Sequence, residues 1–148
     1  MANPRQKREN TEQRMQRLSR QLTDSTEQFN RFLKDSIDLV GQAGQQFHRQ
    51  IHMDLLAGIV KDTPVDTGRA RGNWQSSVGG QKTGTIDRTS GEEAVQEGAQ
   101  ETQRIRLGDT SFIQNNLEYI GFLEDGSSTQ APQGMVSVNL QRLREIRQ

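Results

Sequence analysis

Hydrophobic residues recur every three or four positions along one stretch of the chain: Phe29, Leu33, Ile37, Val40, Phe47, Ile51, Leu55 and Ile59, with Gly44 continuing the stripe between Val40 and Phe47. This spacing follows the turn of an α-helix and predicts one long amphipathic helix. Ser25 and Gln28 stand in capping-box register and mark its expected start. Asp62 and Pro64 mark its expected end, because the residue before a proline is driven out of the helical region. Such a helix would run about 57 Å at 1.5 Å per residue, longer than a domain of this size can cover. It must then break near Gly41 and Gly44, each costing up to about 1 kcal/mol in a helix interior, or lay part of its stripe on another subunit.

The remaining elements are shorter. Residues 1–23 are polar and rich in Arg and Gln, and Met15, Leu18 and Leu22 form a thin apolar series that allows an unburied helix. GNWQSSVG (72–79) reads as a strand opening with Trp74 and closing on glycine. Residues 80–90 are loop in character, and Ser90 with Glu93 offers a second capping box for a short polar helix to about Gln103. Gly108 and Asp109 make a turn, after which TSFIQN (110–115) alternates as a strand with Phe112 on one face. LEYIGFLE (117–124) groups Leu117, Ile120 and Leu123 on a short helix, with Tyr119 and Phe122 beside them, and residues 135–147 form a last, Arg-rich helix. The sum is an α+β fold: a long N-terminal helix, a small β-sheet and shorter C-terminal helices. Residues 1–23 form a basic arm, and residues 24–148 a single domain in which 80–104 is a polar insertion of loop and short helix.

Composition narrows the picture. The chain has 148 residues, enough for one domain, and only 30% of them are hydrophobic. A lone monomer would bury a small core, which fits either disorder over much of the chain or order against neighbouring subunits, and Trp74, the sole tryptophan, should be buried in that core. There is no cysteine, which removes disulfide and thiolate chemistry. No apolar run approaches the roughly 20 residues that span a bilayer, and the charged N-terminus does not read as a secretory signal. Synthesis in the cytoplasm is the expectation.

Charge is balanced overall but unevenly spread. Arg5, Lys7, Arg8, Arg14, Arg17 and Arg20 make the first twenty residues basic, while Glu92, Glu93, Glu97, Glu101 and Asp109 make the middle acidic. A basic arm suits an acidic partner, protein or DNA, and a solvated helix face suits the same residues equally well.

Candidate chemistry is thin. His48 and His52 are four apart and could face one metal ion, but the glutamate of an HExxH pair and a third ligand are both missing. Ser76, Ser77, Ser127 and Ser128 stand in no nucleophile-elbow context, and Glu118, Glu124 and Asp125 form a carboxylate group of unknown separation. Neither GGQKTG (79–84) nor PVDTGRARG has phosphate-loop spacing. No enzyme, cofactor or metal site is expected. PVDTG is read as a rigid turn: Pro64 starts it, Asp66 bonds neighbouring amides, and Gly68 takes a positive φ.

The order of two blocks carries a resemblance. PVDTGRARGNW follows the long helix, and IQNNLEYIGFLEDGSSTQAPQGMV comes near the end. Together, over about residues 60–140, they resemble the minor tail, or tail-completion, proteins of long-tailed bacteriophages. The second block matches at Asn115, Asn116, Tyr119, Glu124, Gly126, Ser127, Gln130, Ala131, Pro132, Gly134, Met135 and Val136. Ala70 and Asp125 depart from the family pattern, and residues 1–23 lie outside it.

The resemblance implies a non-enzymatic virion protein, assembled in the host cytoplasm into a homo-oligomeric ring, a hexamer by expectation, at the head–tail junction. Neighbouring connector and tail-tube proteins would be its partners, with double-stranded DNA passing through the lumen unread and no membrane involved. The implied interface residues are Asp66, Thr67, Gly68, Arg69, Arg71, Asn115, Asn116, Tyr119, Glu124, Gln130, Pro132 and Met135. Arg69 and Arg71 would bond an acidic neighbour; the arm residues Arg8, Arg14 and Arg17, outside the resemblance, are expected to contact an adjoining ring rather than the DNA. The alternatives are a nucleic-acid-binding protein gripping phosphates with residues 5–20, and a helical partner-binding module that folds as a monomer.

Overall fold

The computed structural model describes the backbone of residues 4–146, and the side chains of residue 6 and residues 9–146. Its elements are α1 (Pro4–Asp62), α2 (Arg69–Gly72), β1 (Gln75–Val78), α3 (Gly91–Thr102), β2 (Ser111–Gln114), α4 (Ile120–Glu124) and α5 (Val136–Glu145). The architecture is α+β, as the sequence pattern predicts. The chain forms two units, one up to Gln42 and one from Ala43 onward.

α1 does not start at Ser25. The Ser25 hydroxyl bonds the Gln21 carbonyl at 2.8 Å, and Thr23 and Thr26 bond back to Ser19 and Leu22 in the same way. A hydroxyl engaged one turn back continues a helix and caps nothing. The helical assignment also runs through Gly41 and Gly44. Up to Gln42, the apolar residues of α1 that are described, from Met15 to Val40, are exposed.

In the second unit α1 packs through the C-terminal members of the predicted stripe, Leu55 and Ile59, and through residues beside it. Leu56, Ile59 and Val60 join Trp74, Ala94 and Met135 in the buried core, with Met53, Leu55, Val95, Ile113, Ile120, Leu123 and Val136 packed against it. Of the predicted stripe in this unit, Ile59 is buried, Ile51 and Leu55 are half-buried and Phe47 is exposed. Trp74 is buried to 4% exposure. It lies just before β1, and Gly72 belongs to α2, so the strand is shorter than 72–79.

β1 and β2 pair antiparallel, Gln75 opposite Gln114 and Val78 opposite Ser111. Ile113 is the β2 residue packed on the core, and Phe112 stays half-exposed. Ser90 caps α3 as expected, its hydroxyl accepting from the Glu93 amide at 3.3 Å. α3 then approaches α1 at Gly98, where a Cβ would lie 2.1 Å from Leu56 Cδ2, so only glycine admits this contact.

A core this small is supplemented by polar side chains that clamp backbone ends. Arg49 donates to the Gln103 and Ile105 carbonyls at 2.8 and 2.9 Å, closing the C-terminus of α3. Arg71 does the same for α1 through Lys61 O at 2.9 Å and Thr63 O at 2.8 Å. Arg88 donates to Gly72 O and Trp74 O and pairs with Glu97 at 2.7 Å. Each cation satisfies carbonyls that a helix end or loop leaves unpaired.

Candidate subunit interface

The first sequence block folds into a ridge. α1 ends at Asp62, Thr63 donates its hydroxyl to Ile59 O at 2.6 Å, and Trp74 Nε1 donates to Thr63 Oγ1 at 2.8 Å. The turn then reverses at Gly68, whose φ of 84° and approach to Thr89 O exclude a side chain. Val65 is exposed at the crest. Asp66 is exposed too, and among the described residues its carboxylate accepts no hydrogen bond. The expected bonding of Asp66 to neighbouring amides is therefore corrected. Thr67 fills that role, its hydroxyl accepting from Arg69 N at 3.3 Å.

The second block folds onto this ridge. Gln130 accepts from Val65 N at 2.9 Å and donates to Val65 O at 3.1 Å. Asn115 donates to Ala70 O at 2.8 Å and accepts from Leu117 N at 3.2 Å. Asn116 donates to Gly84 O at 2.8 Å and to Lys82 O at 3.2 Å.

Glu124 receives the amides of Met135, Val136 and Ser137 and the Ser137 hydroxyl at 2.5–2.9 Å, so it caps α5 from outside that helix. Burial alone would raise the pKa of Glu124. The bonds from the Ser137 hydroxyl and the three amides outweigh it and hold the carboxyl below its ordinary value.

These contacts divide the predicted interface residues into two groups. Asn115, Asn116, Glu124, Gln130 and Arg71 are engaged within the chain, and Gly68 is buried. Met135 is 0% exposed and part of the core, so it is corrected from a contact residue to a packing residue. Arg71 is likewise corrected as a donor to an acidic neighbour, its guanidinium being engaged at the end of α1. Asp66, Thr67, Arg69, Tyr119 and Pro132 face outward. Arg14 and Arg17 are exposed on α1, and the side chain of Arg8 lies outside the described residues.

Two grooves flank the ridge, and Val65 and Gly68 line both. One, of about 660 Å³, runs between Val60, Arg71, Gly91 and Val95. The other, of about 270 Å³, is bounded by Asp66, Arg69, Tyr119, Leu123 and Gln130.

Comparison with known family models, curated proteins and solved structures gave no match. The reading of this surface therefore rests on its own geometry and on the two sequence blocks.

A second polar cluster lies between α1 and the sheet, where the His48 and His52 pair meets serines of the strands rather than a metal ligand set. His52 Nε2 lies 2.9 Å from Ser76 Oγ and its Nδ1 2.9 Å from Ser111 Oγ, while His48 Nε2 is 2.8 Å from the same Ser111 oxygen. Burial first, and then the neighbouring His48, lower the pKa of His52. Among the described residues, no group of three or more His, Cys, Asp or Glu side chains is placed to hold a metal ion. No helix among them is long and apolar enough to cross a membrane. The signal available in sequence was the pairing of two histidines with serines on strands, and only the sheet register brings those serines to the helix.

Proposed function

We propose that this chain is a structural subunit of a closed homo-oligomeric ring at the head–tail junction of a long-tailed bacteriophage, with double-stranded DNA passing through its lumen unread. One observation carries the reading. The two sequence blocks behind the resemblance meet in space, Gln130 clasping Val65 through both backbone groups and Asn115 holding Ala70. A ridge fixed this rigidly, with a groove on each side, suits a contact whose angle must be held constant. In a cyclic ring each subunit meets its neighbour through two different patches, and closure depends on that angle.

Within this reading the motif residues divide the work. Gln130, Asn115 and Glu124 keep the ridge and the second block in register, and Asp66, Arg69 and Tyr119 make the contact. Exposed charges such as Asp66 and Arg69 contribute only about 0–1 kcal/mol per pair. Closure of the ring multiplies that contribution, because each subunit is held on two sides.

The test is sedimentation of the wild-type chain beside Arg69→Glu and Tyr119→Ala. The reading expects one defined oligomer for wild type and a shift to smaller species for both variants, with helix content unchanged. Unaltered oligomers would remove this ridge from the contact. DNA binding that weakens steeply with salt and is lost on removing residues 5–20 would favour the nucleic-acid-binding alternative.

A further inference from the structure

The part of α1 up to Gln42 carries a seam that the proposed ring contact does not use. Met15, Leu18, Leu22, Ser25, Phe29, Phe32, Ser36 and Leu39 alternate in steps of three and four, the heptad spacing of a coiled coil. Its large members are exposed: Met15 65%, Leu22 70%, Phe29 58%, Phe32 66% and Leu39 68%. The two serines in the seam leave no free hydroxyl donor, since Ser25 bonds Gln21 O and Ser36 bonds Phe32 O, each at 2.8 Å. A helix of this kind gains most by covering its seam with another helix of the same repeat.

We propose that the part of the seam from Met15 to Phe32 pairs with the same part in a second copy of this chain, antiparallel, about a two-fold axis between Leu22 and Ser25, leaving Ser36 and Leu39 beyond the overlap. Charge decides both the occupant and the orientation. The positions flanking one side of the seam are Arg14, Gln21, Gln28 and Asp35. In an antiparallel pair these flanks face each other. Setting Leu18 on Phe29, Met15 on Phe32 and Leu22 on Ser25 of the other copy puts Arg14 beside Asp35 and Gln21 beside Gln28, each twice. In a parallel, in-register pair the same flank faces Ser19, Thr26, Leu33 and Val40, and no opposite charges meet. The ion pair Arg31–Glu27, at 3.7 Å, lies off the seam within one helix and leaves the flank free. Such an isologous contact is self-complementary. It does not rest on the ring reading.

The chain has no cysteine, so single cysteines report the register cleanly. Full-length Leu18→Cys and Phe29→Cys proteins are mixed and oxidised, and each is also oxidised alone. The inference expects the mixed disulfide, with little product from either variant alone. A Leu18→Cys homodimer in its place would mean a parallel pair and would overturn the inference. No cross-link in any arm would do the same, and co-sedimentation of the chain with anionic vesicles would then assign the seam to a lipid surface.

Charge reversal is the second reading. Arg14→Asp should weaken pairing roughly tenfold, on the scale of two exposed ion pairs turned repulsive, and Arg14→Asp combined with Asp35→Arg should restore it. Failure of the double variant to restore pairing would exclude this register. Adding Asp66→Ala to the cysteine mixture leaves the cross-link intact if the seam acts alone, even where that change dissolves the ring.

Discussion

Gln130 holds Val65 by both of its backbone groups, accepting from the amide at 2.9 Å and donating to the carbonyl at 3.1 Å across 65 positions of sequence. A side-chain amide is the group that can do both, since it carries an acceptor oxygen and a donor nitrogen side by side. The crest of the ridge is thereby tied to the loop that follows α4. Gln130→Glu keeps the acceptor and turns the donor into a carboxylate facing a carbonyl. It should lower stability by about 1–2 kcal/mol and lower oligomer yield more than Gln130→Ala does. Urea denaturation and sedimentation of the two variants check this, and equal yields would remove the directional role of Gln130.

Trp74 anchors the end of α1 through its indole N–H to Thr63. Trp74→Ala should cost about 3–5 kcal/mol through the cavity it leaves. Thr63→Val keeps the volume but strands the buried indole N–H, for a loss of about 1–3 kcal/mol. Thermal melts of both variants measure these losses, and a Thr63→Val protein as stable as wild type would contradict the hydrogen bond's role.

Acid should destabilise the fold in two stages. His52 has its pKa lowered in the folded state, by burial and then by His48, so the unfolded chain takes up the proton first. Its contribution is complete above the ordinary histidine value of about 6.5 and is lost as pH falls below it. Glu97 and Glu124 follow at lower pH. Burial would raise both, but hydrogen bonds from Lys82 and Arg88 to Glu97, and from the start of α5 to Glu124, lower them on balance. Their stabilisation is present above about 4.5 and lost as pH falls through the depressed folded values. Urea midpoints between pH 8 and pH 3 should fall in both ranges (~8 and ~3 bracket the two steps), and Glu124→Gln should flatten the lower one.

Asp66 is exposed and, among the described residues, its carboxylate has no hydrogen-bond partner. Asp66→Ala should leave stability within about 0.5 kcal/mol of wild type, yet reduce ring formation. Calorimetry and size measurement on one sample separate these effects, and an intact ring would contradict the contact assigned to this carboxylate.

What could be read from sequence follows physical range. The Ser90 cap, the Asp62 stop and the positive φ at Gly68 are set by neighbours within a few residues, and all three appear as expected. The Ser25 start failed because a helix already in progress gives a serine hydroxyl a carbonyl one turn back. The core stripe held only at its end, at Leu55 and Ile59, because period alone does not say which face meets a partner. Leu56 and Val60 are buried, and Phe47 is not. The role of Met135 depends on core contacts that join distant parts of the chain, and those of Arg71 and Glu124 on a turn that folds the chain back on itself, none of which a single residue type announces.

A closed ring built on the 64–68 ridge is tested most directly by electron microscopy of the purified 148-residue chain. Class averages should show rings with an open centre and one cyclic symmetry, and Arg69→Glu should abolish them. A field of isolated monomers, or of two-fold pairs with no ring at any concentration, would contradict the claim.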